Sequence, residues 1–250
     1  MRQILFYSLG FLTFAACSPV MYTPTAYQAP LFEEKGEVAI TAGYHGIEEG
    51  DGDGLNLQVA TAVNNHLAVT ATLNYFKDVY RNETSTDYWK STGTYFEAGI
   101  GKFGFIADSP LFKYEVYGGL GYGRSNNRLN SDRISSAYLK PFIQPNIGIS
   151  GKHIELAVST RVALVSFGTP DYQTSNAEYR ERIQNFFDDK NSSLVFEPGI
   201  TLRGGLRDLK AQIQYSYSTF RYRETSGEYF GYSDNYISLG LFWLISERYK

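Results

Sequence analysis

Ten stretches of this chain alternate apolar with small or polar residues at period two, and the connections between them run long, short, long, short. A period of two sends successive side chains to opposite faces of an extended strand, so each stretch carries one apolar face and one mixed face. The strands are expected at 37–45, 55–64, 66–78, 93–104, 111–124, 137–151, 153–167, 193–205, 207–222 and 234–248. Tight links fall at Asn64-Asn65, 105–110, Gly151-Lys152 and 204–208, where Asn and Gly accept the backbone of a hairpin turn. Long links centre on 48–54, 80–91, 125–136, 168–192 and 224–233, rich in Asp, Glu, Asn, Ser, Thr and Arg. Antiparallel neighbours in such number remove their exposed edges by closing into a barrel.

Periodicity alone leaves open which face is inside. In 153–167, Ile154, Leu156, Val158, Val162 and Leu164 oppose Glu155, Ala157, Ser159, Arg161 and Ala163. In 207–222, Leu209, Ala211, Ile213, Tyr215 and Tyr217 oppose Lys210, Gln212, Gln214, Ser216 and Ser218. The last strand sets Ile237, Leu239, Leu241, Trp243 and Ile245 against Ser238, Gly240 and Ser246, with Phe242 and Leu244 as exceptions. Three features turn the apolar face outward. Aromatics on that face (Tyr44, Tyr75, Phe112, Tyr114, Tyr122, Tyr217, Trp243) gather near strand ends, as interfacial girdles do. The other face mixes glycines with charges of both signs, which suits a narrow lumen. Long links at one end and tight turns at the other complete the pattern of a membrane barrel. The expected fold is therefore all-β, a closed antiparallel transmembrane barrel of about ten strands. A mean hydropathy of −0.30 and the lack of a second long apolar run exclude a helical membrane bundle.

The N-terminus sets the compartment. Arg2 precedes an apolar stretch from Ile4 to Ala16, which ends in Ala15-Ala16-Cys17. This resembles a lipoprotein signal, which implies a signal peptide at 1–16 and acyl chains on Cys17; an ordinary secretory signal cleaved nearby is the alternative. Residues 17–35, with Pro19, Pro24 and Pro30, are expected as a lipid tether and linker, and 36–250 as the barrel domain. An even strand count puts both ends of that domain on the periplasmic, short-turn side of an outer membrane. Export excludes a cytoplasmic enzyme, and a single cysteine excludes a disulfide framework. A net charge of −3 with no basic stripe excludes a nucleic-acid partner.

Tyr22-Thr23-Pro24, Ala29-Pro30-Leu31-Phe32, Glu34-Lys35-Gly36-Glu37 and Gly54-Leu55-Asn56-Leu57-Gln58, with Ala62-Val63 and His66, resemble the lead-in and first hairpin of small Gram-negative outer-membrane barrels carrying lipoprotein-type signals. The resemblance implies a fold and a membrane but no activity. Many such barrels end in Phe or Trp, whereas this chain ends Glu247-Arg248-Tyr249-Lys250.

The ionisable residues expected in the lumen are Glu97, Lys113, Glu115, Lys140, Glu155, Arg161, Glu197, Arg203 and Lys210. Arg161 and Glu197, at mid-height on neighbouring strands, are positioned to pair. Charges persist in a low dielectric when paired, so a charge-filled plug is expected rather than a selective pore or a carboxylate dyad. His45, His66 and His153 lack ligand spacing, so neither a metal nor a cofactor is expected. His45 with Asp51 and Asp53 is the one grouping comparable to the Asp and His of ten-stranded outer-membrane proteases; a Gly-rich acidic loop explains it better. Pro141, Pro145 and Pro198 lie within strands, where proline cannot donate to the ladder; Pro141 and Pro145 would weaken one seam twice. That seam is either a local irregularity or a lateral gate for lipid. Ser175-x-x-Glu178 opens a short helix with Tyr179, Ile183 and Phe186 on one side, placed to fold over the mouth.

The function class expected is non-enzymatic: a barrel whose partners are outer-membrane lipid and a surface molecule met through the long links. A lipid-modifying enzyme, a narrow pore and a soluble tethered barrel holding an apolar ligand are the alternatives.

Overall fold

The computed structural model describes residues 20–47, 52–81, 88–107, 109–189, 191–220 and 235–247. The alternating segments form β1 (Val38–Ile47), β2 (Gly52–Ala62), β3 (Leu67–Arg81), β4 (Tyr88–Ile106), β5 (Ser109–Leu129), β6 (Asp132–Ser150) and β7 (Ile154–Phe167). A short β8 (Asp171–Gln173) and helix α1 (Ala177–Asp189) follow, then β9 (Ser192–Gly205), β10 (Leu209–Tyr217), β11 (Thr219–Phe220) and β12 (Asn235–Ile245). Sequential strands pair antiparallel from β1 to β7, then β7 with β9 and β9 with β10. β12 pairs with both β10 and β1, which closes the sheet into a ten-stave barrel. β8 runs beside β6 above the end of β7, and β11 continues β10 against β9 in the same register.

Tight turns lie at one end. Asn64 accepts the N–H groups of His66 and Leu67 through its side chain, both at 2.8 Å, an Asx turn that closes β2 onto β3. At the other end the strands run further than expected. Residues 125–136 are not a long loop: β5 and β6 stay paired up to Leu129 opposite Asp132. The outward residues there are Arg124, Asn126, Arg128 and Arg133, so the backbone alternation continues while the apolar signal that marks a strand in sequence has ended.

The apolar faces point outward. Leu57, Leu73, Ile100, Leu120, Ile143, Val158, Ile213 and Leu239 are exposed around the wall, and all seven girdle aromatics are exposed with them. An outward band of this kind is stable only against lipid.

Two ladders carry gaps at the prolines. Between β6 and β7 the pairs at 140/165, 141/164, 144/161 and 145/160 are missing, beside Pro141 and Pro145, whereas β5–β6 pairs straight through both. Opposite Pro198 the β10 ladder breaks between Ser216 and Thr219, while β7 pairs through it. Both interruptions follow from the missing proline N–H.

Candidate functional site

The lumen is filled by the chain itself. Residues 20–32, part of the 17–35 stretch expected as a lipid tether and linker, are buried without exception and run as a strap through the barrel. Pro24 and Pro30 fix φ in the extended range and carry no N–H to satisfy. A strap inside a closed barrel has no strand edge to pair with, so inward amides take that role. Tyr27 donates its N–H to Gln214 Oε1 at 2.9 Å, and its carbonyl accepts from Gln58 at 3.0 Å and Gln214 at 3.1 Å. The Gln28 carbonyl accepts from Gln144 at 2.6 Å and Asn146 at 2.7 Å, and the Ala29 carbonyl from Arg203 at 2.8 Å. Leu31 donates its N–H to Glu115 at 2.7 Å and its carbonyl accepts from Lys113 at 3.1 Å.

The strap crosses from one end to the other. Met21 lies beneath the β5–β6 extension, its sulfur accepting from Ser136 at 3.5 Å, Asn127 at 3.6 Å and Ser125 at 3.7 Å. Val20 packs on Phe76, near the far end of β3. Fifteen residues after Val20, Lys35 donates its N–H to Asn65 in the β2–β3 turn, at 3.0 Å. An extended chain rises about 3.3 Å per residue, ample for an apolar belt about 25 Å tall.

Around the strap, every lumen-facing ionisable residue expected from sequence is buried. At mid-height Arg161 stands opposite Glu197 in register; its Nη1 lies 3.7 Å from Glu197, and its Nη2 lies 3.1 Å from Glu97. Arg161 also donates to Gln144 at 2.7 Å and to Thr25 of the strap at 2.8 Å. Lys140 pairs with Glu197 at 3.0 Å, and Tyr22 of the strap donates its hydroxyl to the same carboxylate. Nearer the short turns Glu155 bridges Arg203 at 3.0 Å and Lys210 at 3.1 Å, and Lys113 pairs with Glu33. Glu115 is held by the Leu31 and Phe32 N–H groups, Asn146 and Tyr117. Each of these carboxylates accepts from at least one donor.

Apolar clusters close both ends of this polar middle. At the short-turn end Phe32 packs with Phe103, Tyr117, Phe242, Leu244 and small alanines of β1 to β3. The two exceptions in the last strand thus face the strap, and Arg203 stacks on Phe242 with its guanidinium 3.7 Å from the ring centre. At the other end α1 turns Ile183, Phe186 and Phe187 onto Phe167, Tyr138, Met21 and Tyr22. The helix therefore caps the mouth from above. It begins one residue after Asn176, whose carbonyl accepts from the Arg180 N–H at 3.1 Å, so the start lies just beyond Ser175.

His45 and Asp53 do not form a dyad. His45 is buried in the lumen against Tyr236, ring centres 4.7 Å apart, whereas Asp53 faces outward and accepts from the Tyr44 hydroxyl at 3.3 Å. Asp51 and Cys17 lie outside the described residues. Sequence reasoning missed the strap's partners Gln58, Gln144, Asn146 and Gln214. Their signal was amides at inward positions, where a solvent-filled lumen has no need of them.

The outer membrane protease OmpT from Escherichia coli superposes with a TM-score of 0.51 over 84% of this chain and 96% of its own, at 9% identity. The translocator domain of the autotransporter NalP from Neisseria meningitidis gives 0.43 over 83% and 86%, at 13% identity. The fold is that of an outer-membrane β-barrel. At such identities the likeness extends to the fold alone. No protein-family model and no curated protein matches the chain.

Proposed function

We propose that this protein is a sealed, non-enzymatic barrel of a Gram-negative outer membrane, exported by its N-terminal signal and acylated at Cys17. Its recognition or envelope-supporting role sits on the long-connection face. One observation carries this: the lumen is occupied end to end by residues 20–32, which bind Arg161, Lys140, Glu115 and Arg203 and the inward amides Gln58, Gln144, Asn146 and Gln214. Among the described residues, the outward band, which meets lipid, and the β5–β6 extension with its Arg124, Asn126, Arg128 and Arg133 remain open to other molecules. The test is complementation of a deletion strain scored by envelope permeability. A variant with residues 126–135 replaced by a tight turn should insert as a heat-modifiable barrel yet fail to restore the barrier. Full restoration by that variant would remove the extension from the function.

The doubly interrupted β6–β7 ladder favours a second reading, a lateral gate through which a lipid chain reaches the lumen. Cysteines at Ile143 and Val162, paired across the seam, would lock it. Envelope lipids that stay unchanged both on locking and on deleting the protein would dismiss the gate.

A further inference from the structure

We infer that the N-terminal strap leaves the barrel at the cell-surface mouth, so that the chain ahead of Val20 is delivered to the outside rather than to the periplasm. The inference rests on the orientation proposed above, with tight turns inside the cell envelope and extended strands outside.

Three observations on the strap carry it. β1 enters from the short-turn end, where Lys35 meets Asn65, so the barrel domain begins where an even strand count requires. From there the chain, read backwards, climbs the whole lumen: Leu31 at Glu115, Tyr27 at Gln214, Thr25 at Arg161, Tyr22 at Lys140. It then passes the apolar belt. On β5 and β6 the last large outward apolar residues are Tyr122 and Leu139, while the Met21 sulfur sits at Ser125, Asn127 and Ser136, beyond both. Cys17 is three residues from Val20, within about 11 Å of it by the length of an extended chain. An acyl group on Cys17 would then meet the outer leaflet, the opposite face from that expected for a periplasmic tether.

The same geometry constrains assembly. Tyr22, Tyr27 and Phe32 are each at most 1% exposed and fill the lumen section they cross. Drawing rings of that size through the closed barrel would break the contacts that Tyr22 and Tyr27 make with Glu197.

Membrane-impermeant maleimide labelling of intact cells tests the inference on the full chain. Ser18→Cys reports the strap exit, Ser131→Cys the β5–β6 turn and Lys152→Cys a short turn, with wild type giving the Cys17 background and lysed cells giving total thiol. The expected result is labelling of Ser18→Cys to an extent comparable with Ser131→Cys, and of Lys152→Cys only after lysis. If Ser131→Cys labels while Ser18→Cys does so only after lysis, the orientation stands and the surface exit is overturned. If Lys152→Cys labels in intact cells and Ser131→Cys does not, the orientation itself fails and the inference falls with it. Lipidation of Cys17 moves neither control, so it does not confound the comparison.

Discussion

Arg161 joins two buried carboxylates and the strap. It serves Glu97, Glu197, Gln144 and Thr25 from one side chain, with no exposed surface. Removing one partner of a buried pair leaves a charge in low dielectric, which costs about 3–5 kcal/mol. Arg161→Met is therefore expected to lower barrel stability by about that amount, read from urea titration of the heat-modifiable band. Adding Glu97→Gln should recover part of the loss, because it removes a stranded carboxylate; a strictly additive double variant would show that the two do not interact. Gly199 makes a steric point at the same scale. A Cβ there would run into the Tyr27 ring of the strap. Gly199→Val should cost about 1–3 kcal/mol by overpacking and make the strap accessible to added protease, whereas an unaltered digestion pattern would dissociate that glycine from the strap.

At the scale of elements, the outward alternation of the strands was plain in sequence because lipid demands an unbroken apolar face over the belt. The beyond-belt ends were not, since Arg124, Asn126 and Arg128 keep the strand conformation with no apolar face to mark it. The double proline of β6 was legible for a local reason: a residue without an N–H leaves the same gap wherever it stands in a ladder. Helix α1 was half legible. Ile183 and Phe186 were marked as one apolar side, and Phe187, four residues on from Ile183, completes the same stripe. An aspartate at Ile183 would bury a charge against Phe167 and Tyr138, at a cost of at least about 2 kcal/mol. Ile183→Asp should accelerate trypsin cleavage after Arg180 by about tenfold or more, as cleavage follows the population of the lifted helix. An unchanged rate would mean that the helix does not hold to the mouth through this residue.

Across the whole molecule, the strap explains why a narrow barrel carries so many glycines, amides and charges inside. Sequence pattern alone gave the charges as a self-paired plug, and Arg161 with Glu197 is such a pair. It did not give the strap, because 18–35 has neither period and its prolines read equally well as a linker. Only the inward amides and the aberrant Phe242 and Leu244 hinted that something was to be held there. Cys17→Ala, exported without its lipid, should remain in the membrane pellet after carbonate extraction and shift mobility on boiling. Release into the supernatant would mean that the apolar faces do not meet the bilayer. The most direct test of a sealed barrel is the conductance of the purified wild-type protein in planar bilayers, with insertion verified by the heat-dependent shift of the same preparation. A sealed lumen predicts no steady ohmic current at any modest voltage. A stable, voltage-independent single-channel conductance in the wild type would show that the strap does not occupy the lumen and would contradict the structure at its centre.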